Sequence, residues 1–309
     1  MQGWRKRMED AHITDLSKGK NKSINVFGVF DGHGGKEISQ YVKNHFTDEL
    51  LNNSKYKEGD MVGALRETFF KMDEIMQSEE GIKEIKEIAR KSKKEDDEQN
   101  KNETSSNNQM DLLAQLLGPL KDPESNDINM RTGCTACVCV IDEDNKKIYF
   151  ANAGDSRVVI CRKNVAYGKS EDHKPDLPRE RERIQKADGW ISEGRVKGAL
   201  NLSRGLGDLE YKQNKNLPAK DQMITADPDI QIDDLTPDID FIIIGCDGIW
   251  DCLKNQDAAD FVRTRITPNK KISGIIEEMM DSIIAKDINS ETSVGCDNMT
   301  CIVIVPKKN

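Results

Sequence analysis

Ile24-Asn-Val-Phe-Gly-Val-Phe-Asp-Gly-His-Gly-Gly35 begins with an apolar run of strand length that stops at an acid followed by glycines. A short apolar run closed by Asp-Gly reads as a buried strand ended by a turn. The same grammar recurs outward along the chain. Cys134–Ile141 stops at Asp142-Glu-Asp-Asn145, and Lys147–Ala151 leads to Gly154-Asp155. Phe241–Cys246 stops at Asp247-Gly248, and Thr300–Val305 lies near the end of the sequence. This spacing, with a hairpin-like turn at Asp142–Lys146, points to antiparallel sheet. Helical patterns lie between the strands. In Lys36–Leu51 the apolar residues Ile38, Tyr41, Val42, Phe46 and Leu50 fall on one face. Similar faces occur in Met61–Met76, Pro178–Ala187, Gln256–Ile266 and Ile272–Ile284. Strands and helices come in groups without strict βαβ alternation, which favours α+β layers over a doubly wound sheet.

The 309 residues allow one large or two ordinary domains and a sizeable core. Charged residues make up 33%, and 46 Lys+Arg against 55 Asp+Glu leave a net charge of −9. That balance disfavours a general nucleic-acid binder, which needs basic surface against phosphate. No window offers the ~18 consecutive apolar residues of a membrane span, and the basic start is no signal peptide. The 8 Cys are diluted over a long chain in apolar contexts, so reduced, buried thiols in an intracellular protein are expected, cytoplasmic or nuclear. One segment stands apart. From Glu79 to about 110 charge clusters pass into the polar run Asn100–Asn108, with hardly an apolar residue after Ala89. It reads as a polar insertion, a frayed helix leading into a mobile loop, with a docking segment as the alternative.

The acids carry the functional signal. Asp31, Asp155 and Asp247 follow apolar strands, Asp297 precedes one, and Glu9-Asp10 lie in a polar segment ahead of the strand at Ile24. Carboxylates at strand ends cluster if the sheet brings those ends together, and they then repel unless protonated or metal-bound. Hard divalent cations such as Mg²⁺ or Mn²⁺ suit such oxygen ligands. Any single one of these acids reads equally as a turn residue; the argument rests on several together. In Asp31-Gly-His-Gly-Gly35 the glycine lets the Gly32 carbonyl approach a cation without Cβ interference. His33 beside it reads as a proton donor or ligand, or as a loop histidine satisfied by a neighbour. Structural roles are expected for His12, His45 and His173. Competing signatures are absent: no GxxxxGK[ST] loop, no GxGxxG, no GxSxG, and no Cys followed six positions on by Arg. Cys134 and Cys137, three apart in a strand, face opposite sides and could not share a metal.

The motifs Gly3-Trp-Arg-Lys-Arg-Met-Glu-Asp-Ala-His12, Phe27-Gly-Val-Phe-Asp-Gly-His-Gly-Gly35 and Ala153-Gly-Asp-Ser-Arg157 resemble those of the metal-dependent protein serine/threonine phosphatases of type 2C. So do Asp172-His-Lys-Pro175, Leu202-Ser-Arg-Gly-Leu-Gly-Asp208, Cys246-Asp-Gly-Ile-Trp-Asp251 and Asp297-Asn-Met-Thr300. The resemblance runs nearly end to end, with only the polar insertion (about 79–110) unmatched. It implies one catalytic domain over residues 1–309. In it two antiparallel β-sheets form a central sandwich flanked by α-helices, a four-layer αββα arrangement. It implies two Mn²⁺ or Mg²⁺ ions, with Asp31 bridging them. Glu9 and the Gly32 carbonyl would serve one ion; Asp247 and Asp297 would serve the other. Asp155 and Asp251 match positions of a weaker third metal, and Asn298 would be a supporting polar contact. Asp10 would hold a metal-bound water, Arg5 would bind the substrate phosphate, and about 174–198, including the substrate-side Arg195, would form a flap.

The implied chemistry is hydrolysis of phosphoserine and phosphothreonine in proteins by a hydroxide held between two cations, with His33 protonating the leaving alkoxide. Such an enzyme would act in signalling by dephosphorylation, as a monomer. The alternatives are a small-molecule phosphoesterase and a weakly active regulatory relative. The family carries a strand before the Gly-Trp-Arg motif where only Met1 and Gln2 precede it here. A late start or a cut is therefore expected, with an edge strand beside Arg5 missing and any lipidation signal hidden. The pair Lys6-Arg7 adds positive charge beside Arg5, to attract phosphorylated substrate or simply as a solvated pair.

Overall fold

Every residue from Ile24 to Phe30 is buried, because the pleat sends alternate side chains into two different cores. Ile24, Val26 and Phe30 face a helical layer, and Phe27 and Val29 face a second sheet. The computed structural model describes residues 1–102, 130–287 and 294–306, with side chains of 95–102 left undescribed. The strand (β2, Ile24–Phe30) is the second of a five-stranded sheet with β1 (Ala11–Lys18), β5 (Ala136–Asp142), β6 (Lys147–Ala153) and β12 (Asp229–Asp234), in the order β1-β2-β5-β6-β12. Four further strands form the facing sheet, in the order β14-β13-β7-β8: β7 (Arg157–Arg162), β8 (Val165–Gly168), β13 (Ile239–Gly245) and β14 (Cys301–Ile304). All pairings within both sheets are antiparallel.

Helices cover both outer faces. α1 (Glu37–Asn52), α3 (Met61–Met76) and α4 (Glu79–Asn102), with the one-turn α2 (Ser54–Lys57) between the first two, cover the first sheet. On the other face α7 (Asn255–Arg263) and α8 (Ile272–Ile283) cover the second sheet, and the short α6 (Asp247–Trp250) leads into them. Phe46 of α1, fully buried, meets Phe69 of α3 edge-on at 5.4 Å and Phe30 at 6.0 Å. The layers are helix, sheet, sheet, helix, as the sequence reading expects.

Three differences from that reading have physical causes. The first strand is β1, so Glu9-Asp10 abut a strand directly; its sequence AHITDLSK alternates along an edge and carries no apolar run. The first turns of α4 pack, with Ile85 only 2% exposed in the core, whereas the rest of the polar run beyond Asn102 lies outside the described residues. Of the eight free cysteines, Cys252, Cys296 and Cys301 are half-buried and the others buried. Cys134 faces the helical core and Cys137 the inter-sheet core, so they share no metal.

The pairing register places the site. Ala11 pairs with Phe30, Val29 with Cys137, and Ala136 with Ala153. The start of β1, the end of β2, the start of β5 and the end of β6 therefore lie at one end of the first sheet. Gly245 pairs with both Cys301 and Arg157, so the end of β13 and the starts of β14 and β7 lie together in the second sheet. The link from β6 to β7, residues 154–156, crosses between sheets at this end. Glu9, Asp10, Asp31, Asp155, Asp247 and Asp297 all sit at or within a few residues of these strand ends, whereas Asp251 lies past the short helix that follows β13.

Phe46→Ala removes a fully buried ring from the helical face of this frame and should cost about 3–5 kcal/mol, read from urea unfolding. A loss below about 1 kcal/mol would show that α1 and α3 are not packed against β2 in this way.

Candidate metal and phosphate site

Hydrogen bonds between strand ends set the positions of the acids. The Asp31 N–H donates to Thr135 Oγ1 (3.1 Å), the Thr135 N–H to the Asp31 carbonyl (2.9 Å), and the Thr135 and Ser156 hydroxyls share a hydrogen bond (2.7 Å). Asp10, 5% exposed, accepts from Thr300 Oγ1 at Oδ2 (2.7 Å), while its Oδ1 is buried without a partner. Asn298 ties the amino-terminal segment to the β14 end. Its Nδ2 donates to the Gln2 and Arg7 carbonyls (2.7 and 2.9 Å), and its Oδ1 accepts from the Glu9 N–H (2.8 Å). Glycine at 32 has a reason the sequence did not reveal: a Cβ there would stand 2.2 Å from the Glu9 carbonyl oxygen.

These bonds crowd like charges. Asp31 is pushed well above the ordinary carboxylate range by burial and by the charges of Asp10, Asp247 and Asp155. Asp247 is pushed up to about 7 by burial and by Asp155, Asp297 and Asp251. Burial also raises Glu9 and Asp10. Asp31, Asp10 and the Cys246 thiol have ligand atoms within 4.8 Å of one another. The thiol is satisfied, donating to the Asn298 carbonyl (3.4 Å) and accepting from the Thr300 N–H (3.1 Å), and burial raises it well above its usual range. The remaining donors are oxygens, one of them an unpartnered buried carboxylate oxygen. This donor set fits hard divalent cations.

A cavity of about 730 Å³ opens over the cluster. Glu9, Asp31, Gly32, His33, Asp155, Asp247 and Asp297 line it, with Arg5 and Arg195 on its wall. Asp10, buried beside Asp31, is not part of the lining. Asp251 does not line it; it is exposed, just past α6, with its charge felt by Asp155 and Asp247. Arg5 reaches Asp297 (2.5 Å) with one guanidinium nitrogen while its side chain is 61% exposed. Arg195 donates to the Ala199 carbonyl (2.9 Å) from β10 (Arg195–Val196), which pairs with β9 (Ile191–Ser192). This hairpin and α5 (Pro178–Lys186) build the flap around a separate small core of Ile184, Val196, Tyr211 and Ile224.

Two charged residues in the cluster were given no catalytic or ligand role in the sequence reading. Asp208, fully buried, receives His33 Nε2 at 2.8 and 3.0 Å on its two oxygens. It follows β11 (Leu206–Gly207) at φ 49°, a left-handed turn that aims its carboxylate back at β3 (Gly32–His33), the two short strands being linked through β4 (Gly133–Cys134). Burial alone would lower the His33 pKa; the Asp208 charge and hydrogen bond raise it above the ordinary 6.5. The other is Lys174, whose ammonium pairs with Asp155 Oδ2. Both residues close or occupy quoted motifs, but only the fold shows what they face.

The chain matches the family model described as Protein phosphatase 2C over residues 1–87 and 77–292. It is 45% identical to "Probable protein phosphatase 2C 21" of Arabidopsis thaliana, covering 100% of this chain and 85% of that one. It is 41% identical to "Protein phosphatase 2C 1" of Paramecium tetraurelia, covering 98% and 89%. Among solved structures, a phosphatase from a pathogenic strain of Toxoplasma gondii superposes with a TM-score of 0.70, at 21% identity, over 100% of this chain and 91% of that one; this likeness bears on the fold. The matched relatives and the fold together define the class, a metal-dependent protein serine/threonine phosphatase. The chain belongs to the protein phosphatase 2C family. Among the described residues no helix is long and apolar enough to cross a membrane.

The crowded acids make a stability prediction for metal-free protein. Asp247 holds its proton to about 7 when folded, against an ordinary 3.8. Below about pH 4 both states are protonated and the group contributes no difference. As pH rises toward 7 the unfolded chain ionises first, so stability falls, then levels off. Asp247→Asn should therefore melt higher than the parent in chelator at about pH 8, and equally near pH 4. A lower melting temperature for the variant at the higher pH would refute this.

Proposed function

We propose that the protein hydrolyses phosphoserine and phosphothreonine in proteins with two divalent cations, Mn²⁺ or Mg²⁺, held at this strand-end cluster. The observation that carries the reading is the convergence of Glu9, Asp31, Asp247 and Asp297 on one cavity beside a histidine already paired with a buried carboxylate. Glu9, Asp31, the Gly32 carbonyl, Asp247 and Asp297 are the residues that would hold the two ions. Asp155 and Asp251 would hold a weaker third. Bound cations supply Lewis-acid polarisation of the phosphoryl oxygens and make a water acidic enough to act near neutral pH.

The chain's own residues do the rest. Asp10 Oδ1, buried and unpartnered, accepts a hydrogen bond from the attacking water and orients it. Arg5 uses one nitrogen on Asp297, which leaves its outward edge to grip phosphate oxygens in a planar fork. Arg195 and Lys6 add positive charge along the cavity wall. His33 gives its Nε2 hydrogen to Asp208, so the proton for the departing seryl or threonyl oxygen sits on Nδ1. Asp208 keeps the ring charged and turned; it is a positioning residue.

Phosphate release from a phosphothreonine peptide should require Mn²⁺ or Mg²⁺, stop with EDTA, and fall at least ~100-fold in Asp247→Asn. Activity surviving EDTA, or activity confined to small phosphate esters, would sink the proposal. His33→Ala should lose ~100-fold or more on the peptide but less than about tenfold on an aryl phosphate, whose leaving group needs no proton. Asp208→Asn should show the same substrate asymmetry, weaker. Equal losses on both substrates would remove His33 as the acid.

A further inference from the structure

Lys174 sits against the carboxylates assigned above to the weakest cation. Its backbone position is closely fixed. The preceding residue, His173, is fully buried, and its N–H donates to the Gly154 carbonyl (3.0 Å). The His173 ring accepts the Gly154 N–H at Nδ1 (3.1 Å), and its Nε2 meets Asp229 Oδ2 at 3.1 Å. The segment carrying Lys174 is thus bonded through its neighbour to the residue before Asp155. From there the ammonium reaches Asp155 Oδ2, with Asp247 and Asp251 also close enough to attract it. Asp155 itself is only 3% exposed, whereas the Lys174 side chain is 42% exposed, so the lysine has a path outward and the carboxylate does not. An ammonium on a flexible four-carbon stem is a mobile point charge, well able to exchange with a dissolved cation.

We propose that Lys174 is an internal competitor for the weak cation position at Asp155 and Asp251, occupying it as an ammonium until a divalent ion displaces it. The proposal rests on the metal reading of the site and adds to it a reason for the weakness. A dication entering beside Asp155 must first displace a paired ammonium, so its apparent affinity is reduced by the fraction of time the lysine is out. Among the described residues the ammonium of Lys174 pairs with Asp155 and not with Asp31, so the two positions built on Asp31 keep the greater part of their affinity. Occupancy of the weak position would then rise over a higher range of free cation concentration than a preformed site requires, with the lysine neutralising Asp155 when the ion is scarce.

Direction is the test. Metal-stripped wild type, Lys174→Met, Lys174→Gln, Lys174→Arg and Asp155→Asn would be titrated with Mn²⁺ and the bound ion counted by calorimetry and electron paramagnetic resonance. Circular dichroism would confirm that each is folded. Lys174→Met and Lys174→Gln should bind the weakest Mn²⁺ several-fold more tightly, with the tight class unchanged. Lys174→Arg should stay weak, and Asp155→Asn should lose that class. Unchanged or weaker binding in both neutral variants would overturn the proposal, because it would make Lys174 a support for Asp155. Absence of any bound Mn²⁺ in wild type would overturn the metal reading as well, and so separates the two failures.

Discussion

Mutual repulsion among carboxylates held on converging strand ends is the constraint around which the molecule is organised. Asp31 faces the charges of Asp10, Asp247 and Asp155 at once, and Asp247 faces Asp155, Asp297 and Asp251. Left to itself such a group would spread until solvent screened it. It is kept together by short bonds that involve no carboxylate charge: Thr135 to Asp31 and Ser156 between sheets, and Asn298 between the chain's two ends. Behind them three apolar cores hold four layers in register, so the strand ends cannot move apart without breaking sheet pairing. The stability of the layers is thereby spent on keeping a poised electrostatic site, a pattern common where strain serves function.

Close backbone approach is the second part of that frame. A Cβ at Gly248, the second residue of α6, would stand 2.0 Å from the Asn298 carbonyl oxygen, as one at Gly32 would stand 2.2 Å from that of Glu9. In the two Asp-Gly pairs the acid faces the cluster and the glycine lets a neighbouring chain pass behind it. This adds a second reason for glycine to the sequence argument, which gave Gly32 to cation access alone. The glycine also brings the Glu9 backbone near enough for the carboxylate of that residue to reach the cavity.

Much of this was legible in the sequence, and the exceptions are instructive. β2, α1 and α3 stood out because burial on one or both faces imposes a period, and their boundaries differ from the structure by a residue or less. β1 and β12 did not, because edge strands carry polar residues on their open faces, as AHITDLSK and DIQIDD do. The acids could be seen at strand ends, but their convergence depends on antiparallel register, which no single strand encodes. Asp208 lies 175 positions from His33, and its role depends on a left-handed turn, uncommon for a residue other than glycine, that the local sequence does not announce. Lys174 was readable as part of Asp172-His-Lys-Pro175, yet nothing local says that its ammonium meets Asp155.

The flap shows how recognition can vary without disturbing this chemistry. Its base is locked by Glu180, fully buried, which accepts from Arg204, Arg183 and Ser203. Burial would push that carboxyl up, but the two guanidinium groups bring it down to about 2, so it stays charged at any physiological pH. Arg204 also reaches Asp229, the residue that holds His173 and through it the Gly154 loop. The flap base and the Asp155 turn are therefore parts of one ionic network, and removing a single member would leave buried charge unpaired. Above that base the exposed Arg195 and Trp190 project from a short hairpin with its own small core. Of the two, Arg195 lines the cavity, so exchanging it would change what the cavity wall presents while the strand ends and their charges stay where they are.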